Sequence, residues 1–170
     1  MAYKRLIINA MMFYVAWFGC IFIGNLFIPV VLIWLGFHLR DCESPTVEFS
    51  FLILVTVTGS AIDSALIHFG VFVFSGHSWL IPWWLMFIWL SFALTINGCL
   101  AFLRRSIVLQ LLAGMVLAPL SYIGGSAFGV VEFGYSTAVT FAILSVVWSM
   151  LLPAIYSLNK IIPYFHRGKK

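Results

Sequence analysis

Residues 6–39 read LIINAMMFYVAWFGCIFIGNLFIPVVLIWLGFHL, 34 positions without a Lys, Arg, Asp or Glu. One membrane-spanning helix takes about 20 apolar residues. This run is therefore long for one span and short for two. Gly24, Asn25 and Pro29 interrupt it, and Pro29 suits the first turn of a second helix after a tight turn. Working outward, four more apolar runs follow: Phe49–Phe74, Ile81–Leu103, Ile107–Val131 and Thr137–Leu158. The reading is an all-α, polytopic membrane helical bundle of six transmembrane helices. Its spans are placed at about 6–23, 26–39, 49–74, 81–103, 107–131 and 137–158, in a single integral membrane domain over residues 1–170.

Composition agrees. The chain has 170 residues, 64% hydrophobic and 8% charged, against about 25% charged in a soluble domain. A soluble enzyme, a disordered chain and a disulfide scaffold are excluded. The three cysteines, Cys20, Cys42 and Cys99, form no disulfide framework. The basic residues sit in short clusters between apolar runs, so no nucleic-acid partner is expected. Lys4-Arg5 followed by an apolar stretch imitates a signal peptide. Trp17 and Phe18 before Cys20, and apolar sequence beyond it, favour an uncleaved first helix.

Charge placement sets the expected orientation, because Lys and Arg in short loops stay cytoplasmic. With six spans and the N-terminus inside, Lys4, Arg5, Arg40, Arg104, Arg105, Lys160, Arg167, Lys169 and Lys170 all fall inside. The Gly24-Asn25 turn, the Ser75–Leu80 loop and the loop after Gly129 fall outside and carry no Lys or Arg. N-in/C-in is therefore expected. Trp79, Trp83 and Trp84 suit an outer interfacial belt, and the basic tail suits the inner leaflet.

Asp63 is the one acidic residue inside an apolar run, near the middle of the third expected span. A carboxyl there costs about 2.5–3.5 kcal/mol on insertion scales. At 100° per residue, Thr56, Gly59, Ser60, Asp63 and Gly70 share a small, polar face, expected to point into the bundle. Ser64 adjoins it. His68 lies about 140° around the helix from Asp63, so the two make no ready pair. Asn97 stands between Ala93 and Ala101, a spacing that lets another helix approach and be hydrogen-bonded. Ser121-x-x-x-Gly125-x-x-x-Gly129 reads as a close-packing stripe. Pro119 frees a backbone carbonyl one turn earlier, open to Ser121, Tyr122, a water or a ligand. Ligand-binding candidates are therefore Asp63, Ser60, Ser64, His68, Asn97, Ser121 and Tyr122, with Asp63 the candidate catalytic group. No His, Cys and Glu set is read at metal-ligand spacing; no metal or other cofactor is expected.

These residues resemble the domain-of-unknown-function family 2878, small bacterial inner-membrane proteins. The resemblance rests on Gly59-Ser60-x-x-Asp63-Ser64 with Gly70, Pro82-x-Trp84, and Trp89-Leu90-x-Phe92-Ala93-x-Thr95-x-Asn97. It continues in Gly114 and Pro119-Leu120-Ser121-Tyr122-x-Gly124 and covers nearly the whole chain. Ala118 stands where relatives commonly carry Gly. The resemblance implies a multi-pass protein of the bacterial inner membrane with no established activity. It also implies a lipid setting, since relatives are often encoded near fatty-acid-modifying enzymes such as cyclopropane-type methyltransferases.

Three functions follow as expectations. The chain binds or helps to modify a membrane lipid, acyl or isoprenoid, with Asp63, Asn97, Ser121 and Tyr122 at its polar group. Alternatively, it is a small solute- or proton-linked transport or substrate-binding subunit centred on Asp63. Or it is a non-catalytic scaffold that docks a soluble lipid-modifying enzyme on Arg40, Arg104, Arg105 and the basic tail. Membrane lipids are the expected partners. Whether the chain catalyses a reaction is left open by the sequence.

Overall fold

The computed structural model describes residues 2–74 and 79–167, with side chains for 3–74 and 79–159. Lys160, Arg167, Lys169, Lys170 and most of the Ser75–Leu80 loop, used above to orient the chain, therefore lie outside the described side chains. The helices are α1 (Ala2–Ile23), α2 (Ile28–Arg40), α3 (Pro45–His68), α4 (Trp83–Ile96), α5 (Ile107–Ala127) and α6 (Thr137–Arg167). Single 3₁₀ segments occupy Gly24–Phe27 and Ala101–Arg105. Two short strands, β1 (Phe72–Val73) and β2 (Glu132–Phe133), pair antiparallel with Phe72 opposite Phe133.

The opening apolar run breaks at Gly24, whose φ of +65° suits a residue without a Cβ. The Phe27 ring lies where a Cβ on Gly19 would be. On a straight helix those two positions would stand about 12 Å apart, so the chain doubles back here. Pro29 then sits in the first turn of α2, where its missing N–H costs nothing.

Elsewhere the helices depart from the apolar runs. The third was expected to reach Phe74 but ends at His68, and the fifth was expected to reach Val131 but ends at Ala127. In both places a glycine with positive φ follows, Gly70 at +69° and Gly129 at +74°. Such a residue cannot continue a right-handed helix, and short segments beyond each glycine, Phe72–Val73 and Glu132–Phe133, pair as β1 and β2. Apolarity alone does not distinguish these strand residues from more helix. α4 covers only Trp83–Ile96 of the run 81–103, and α6 continues past Leu158 to Arg167.

Four helical stretches are long and apolar enough to cross a membrane: Tyr3–Arg40, which contains the Gly24 break, Pro45–His68, Ile107–Ala127 and Thr137–Asn159. α4 is apolar but shorter. Leu111, Leu117, Leu120, Val146 and Met150 are among the large apolar side chains on the surface. Exposed aliphatic surface on this scale suits lipid and would be a liability in water. These are the helices of a membrane protein.

The chain forms two compact units. The first comprises residues 1–60, 82–102 and 158–170. In it, Asn9 of α1 donates to the Leu94 carbonyl of α4 at 3.2 Å and accepts from the Cys99 N–H at 2.9 Å. Asn25, in the turn after α1, accepts from the Trp84 N–H at the start of α4. Phe51, Leu52, Val55, Trp89 and Leu94 are buried there.

The second unit comprises residues 61–81 and 103–157. Here α5 and α6 approach closely at Gly114, where a Cβ would run into the Trp148 carbonyl. Close packing was expected instead along Ser121, Gly125 and Gly129. Ser121 is exposed, Gly125 has only ordinary contacts in prospect, and Gly129 lies beyond the helix. Pro119 lies inside α5 and leaves the Met115 carbonyl without its helical donor. The Ser145 hydroxyl of α6 donates to that carbonyl at 2.7 Å. A neighbouring helix thus fills the vacancy that the sequence left to Ser121, Tyr122, water or ligand.

Candidate functional site

Asp63 lies five residues before the end of α3, not at its middle, because α3 starts at Pro45 and stops at His68. Its side chain is 0% exposed. A buried carboxyl needs hydrogen-bond donors, and Tyr122 of α5 supplies one. Its hydroxyl donates to the two Asp63 oxygens at 2.9 and 3.0 Å. The Trp148 side chain of α6 hydrogen-bonds that same hydroxyl. An indole N–H only donates, so the chain runs from Trp148 to Tyr122 to Asp63. Three helices of one compact unit thereby meet at a single carboxyl.

The strand pair completes the surroundings. Phe72 is buried, and its ring stacks on Tyr122 with centroids 5.0 Å apart and planes 10° apart. Phe133, paired with Phe72 across the ladder, lies 6.2 Å from it. The glycines that end α3 and α5 therefore also shape the aromatic wall beside the carboxyl. Chemically, the arrangement can hold a proton, or present an oxygen and a hydroxyl to a polar group in apolar surroundings.

The other candidates are distributed as follows. Ser60 is half-buried on α3, one turn before Asp63. Ser64 is half-buried and its hydroxyl oxygen accepts from the Ile81 N–H at 3.4 Å. His68 is exposed, with its ring against Phe69 and Trp79. The Ser121 hydroxyl donates to the Ala118 carbonyl of its own helix at 2.7 Å. Asn97 belongs to the first compact unit. α4 ends at Ile96, so Asn97 is the residue that closes the helix. It donates to the Glu48 carboxylate at 2.9 Å, and its own carbonyl oxygen accepts from Asn159.

Glu48 was not singled out by the sequence. It stands in the first turn of α3, and its other oxygen meets His38 Nε2 of α2 at 3.0 Å. The Cys42 thiol, in the short connection between α2 and α3, donates to the His38 carbonyl at 3.2 Å. Burial, then the neighbouring Glu48 and Asp41 carboxylates, push the Cys42 thiol above its ordinary pKa. The signal was present as His38-x-x-x-Cys42 with Glu48 six residues on, but one turn of helix and a corner had to be supplied to see it. Trp148 and Phe72 carried no signal, being one aromatic among many.

The family model described as a protein of unknown function, DUF2878, matches residues 6–154. The chain belongs to that family. No curated protein and no solved structure matches it. The family carries no assigned reaction, so the residues themselves must carry any functional reading.

Proposed function

We propose that this chain binds a membrane lipid, acyl or isoprenoid, at the Asp63–Tyr122 pair, and holds its polar group there while the bundle faces its apolar tail. The observation that carries the reading is the fully buried Asp63 carboxyl held by Tyr122. A group so costly to place among apolar residues is a functional candidate by default. The aromatic wall of Phe72 and Tyr122 supports an apolar ligand. In a lipid-modifying role Asp63 would be the acid or base, with Tyr122 and Trp148 positioning it.

The same proposal places the protein in a bacterial inner membrane with six spans and both termini cytoplasmic. The support is the distribution of basic residues, since the Gly24–Phe27 turn and the Gly129–Ser136 connection contain none. α2 and α4, at about 20 Å each, are shorter than the roughly 30 Å hydrocarbon core. Thinning of the bilayer around them, rather than immersion of the charged connection at residues 41–44, would match their length.

The test is a lipidome of a deletion strain complemented with the wild-type chain, Asp63→Asn or Tyr122→Phe, each checked for equal abundance. The reading expects an altered acyl or isoprenoid composition that only the wild type restores. Restoration by all three would replace lipid handling at Asp63 with a scaffold for a soluble lipid-modifying enzyme. An unchanged lipidome on deletion would reject the lipid reading and direct attention to solute uptake.

A further inference from the structure

His38, Cys42 and Glu48 are brought together at the corner between α2 and α3, and the lipid reading uses none of them. One ligand atom from each, the imidazole nitrogen, the thiol sulfur and a carboxylate oxygen, lies within 4.8 Å of the other two. All three residues are half-buried. The local fold explains the meeting. His38 lies in the last turn of α2, and Cys42, two residues past its end at Arg40, folds back so that its thiol meets the His38 carbonyl. Pro45 then opens α3 directly, which puts Glu48 in its first turn and back beside His38.

We propose that this corner is a binding site for a borderline-soft divalent transition metal of the zinc type, with His38 Nε2, Cys42 Sγ and a Glu48 oxygen as its protein ligands. Bonds of about 2.0–2.3 Å at tetrahedral angles hold such donors roughly 3.3–3.6 Å apart. His38 and Glu48 are now 3.0 Å apart, and none of the three pairs exceeds 4.8 Å. Shifts of about 1 Å, within the reach of side-chain torsions, would complete the set. Nitrogen and sulfur together select a zinc-like ion over Mg²⁺ or Ca²⁺, which take oxygen. Three protein ligands leave a coordination position for water.

The surroundings are those of an oriented ligand. Glu48 is held from behind: its second oxygen accepts from Asn97, and Asn97 in turn accepts from Asn159. Hydrogen-bonded partners behind a carboxylate fix its direction at metal sites. The Asp41 carboxylate, next to Cys42 in sequence, adds negative charge that favours a cation. On binding, the metal–sulfur bond replaces the Cys42 S–H bond and the proton leaves to solvent, with no change in oxidation state.

The competing account is a plain His38–Glu48 ion pair that ties α2 to α3. To decide, the full-length chain is purified in detergent, stripped with a chelator and titrated with Co²⁺. The proposal expects one Co²⁺ per chain with sulfur-to-cobalt absorption. That absorption should vanish in Cys42→Ser and persist in Cys99→Ala. Asn97→Ala, which keeps all three ligands, should weaken binding about 10–100-fold. Independently of any variant, Zn²⁺ but not Mg²⁺ should slow alkylation of Cys42 in the wild-type chain, read by peptide mass spectrometry. Absence of sulfur-to-cobalt absorption, its survival in Cys42→Ser, or alkylation indifferent to Zn²⁺ would overturn the site and leave the ion pair. If Cys42→Ser fails to fold, the alkylation arm still decides.

Discussion

Asp63 and Glu48 are both carboxylates on α3, and the fold treats them in opposite ways. Glu48 lies in the first turn, where a helix N-terminus favours negative charge. It is half-buried and meets an imidazole at the end of α2 and an amide at the end of α4. Asp63 lies near the other end of α3, is wholly buried, and meets a phenol and an aromatic wall. Glu48 has polar partners and some access to solvent, so its position costs little and offers charge-driven binding. Asp63 is the costly one, and its cost is the argument for a function that works in apolar surroundings.

The largest effect that would break this contrast lies at Gly114. Gly114→Val pushes α5 off Trp148 and should disturb the Trp148–Tyr122–Asp63 chain. Overpacking of this kind costs about 1–3 kcal/mol, read as a lower unfolding midpoint in detergent. Gly36→Ala on α2, where a Cβ meets nothing within 4 Å, should leave the midpoint unchanged or slightly raised. Equal losses in both would dissolve the distinction.

A second comparison removes one donor from each carboxylate. Tyr122→Phe leaves a buried carboxyl without its phenol, a loss of about 1–3 kcal/mol. Asn97→Ala leaves a half-exposed Glu48 with its imidazole partner, a loss of under about 1 kcal/mol. Unfolding of both variants in the same detergent measures the difference, and a reversed order would contradict the burial argument.

The smallest effect concerns the Glu48 corner. The thiolate is the form that alkylates, and burial and the Glu48 and Asp41 carboxylates raise the Cys42 pKa. Alkylation of Cys42 should therefore keep accelerating as pH rises through the ordinary thiol range. Asp41→Asn removes one negative neighbour, lowers that pKa and should speed the reaction at neutral pH. High salt should narrow the difference between the two proteins. A Cys42 rate that levels off early, or is unmoved by Asp41→Asn, would remove electrostatics from the description of this corner.

The helical, membrane character of the chain was legible because it rests on summed apolarity, and no local detail reverses a sum over twenty residues. Asp63 stood out for the same reason, as a charge in an apolar run. The ends of α3 and α5 were not legible, because Val71, Phe72 and Val73 after α3, and Val130 and Val131 after α5, are as apolar as the helices they follow. Only the positive φ at Gly70 and Gly129 separates them. Ser121 was misread because a small-residue spacing marks a face without saying what lies opposite; the approach is at Gly114. Asn97 was legible as a residue that hydrogen-bonds another helix, but its partners, Glu48 and Asn159, lie far off in sequence and emerge only on folding.

The most direct test of the central claim is photolabelling with a lipid that carries a diazirine on its acyl chain. The full-length chain is reconstituted in vesicles containing that lipid, and labelled peptides are mapped by mass spectrometry. The account predicts label concentrated on the peptides around Asp63, Phe72 and Tyr122. It should fall about tenfold in Tyr122→Phe, the equivalent of one hydrogen bond of about 1.4 kcal/mol. Label spread evenly over the exposed aliphatic surface, and unchanged in Tyr122→Phe, would contradict a lipid site at the buried carboxyl.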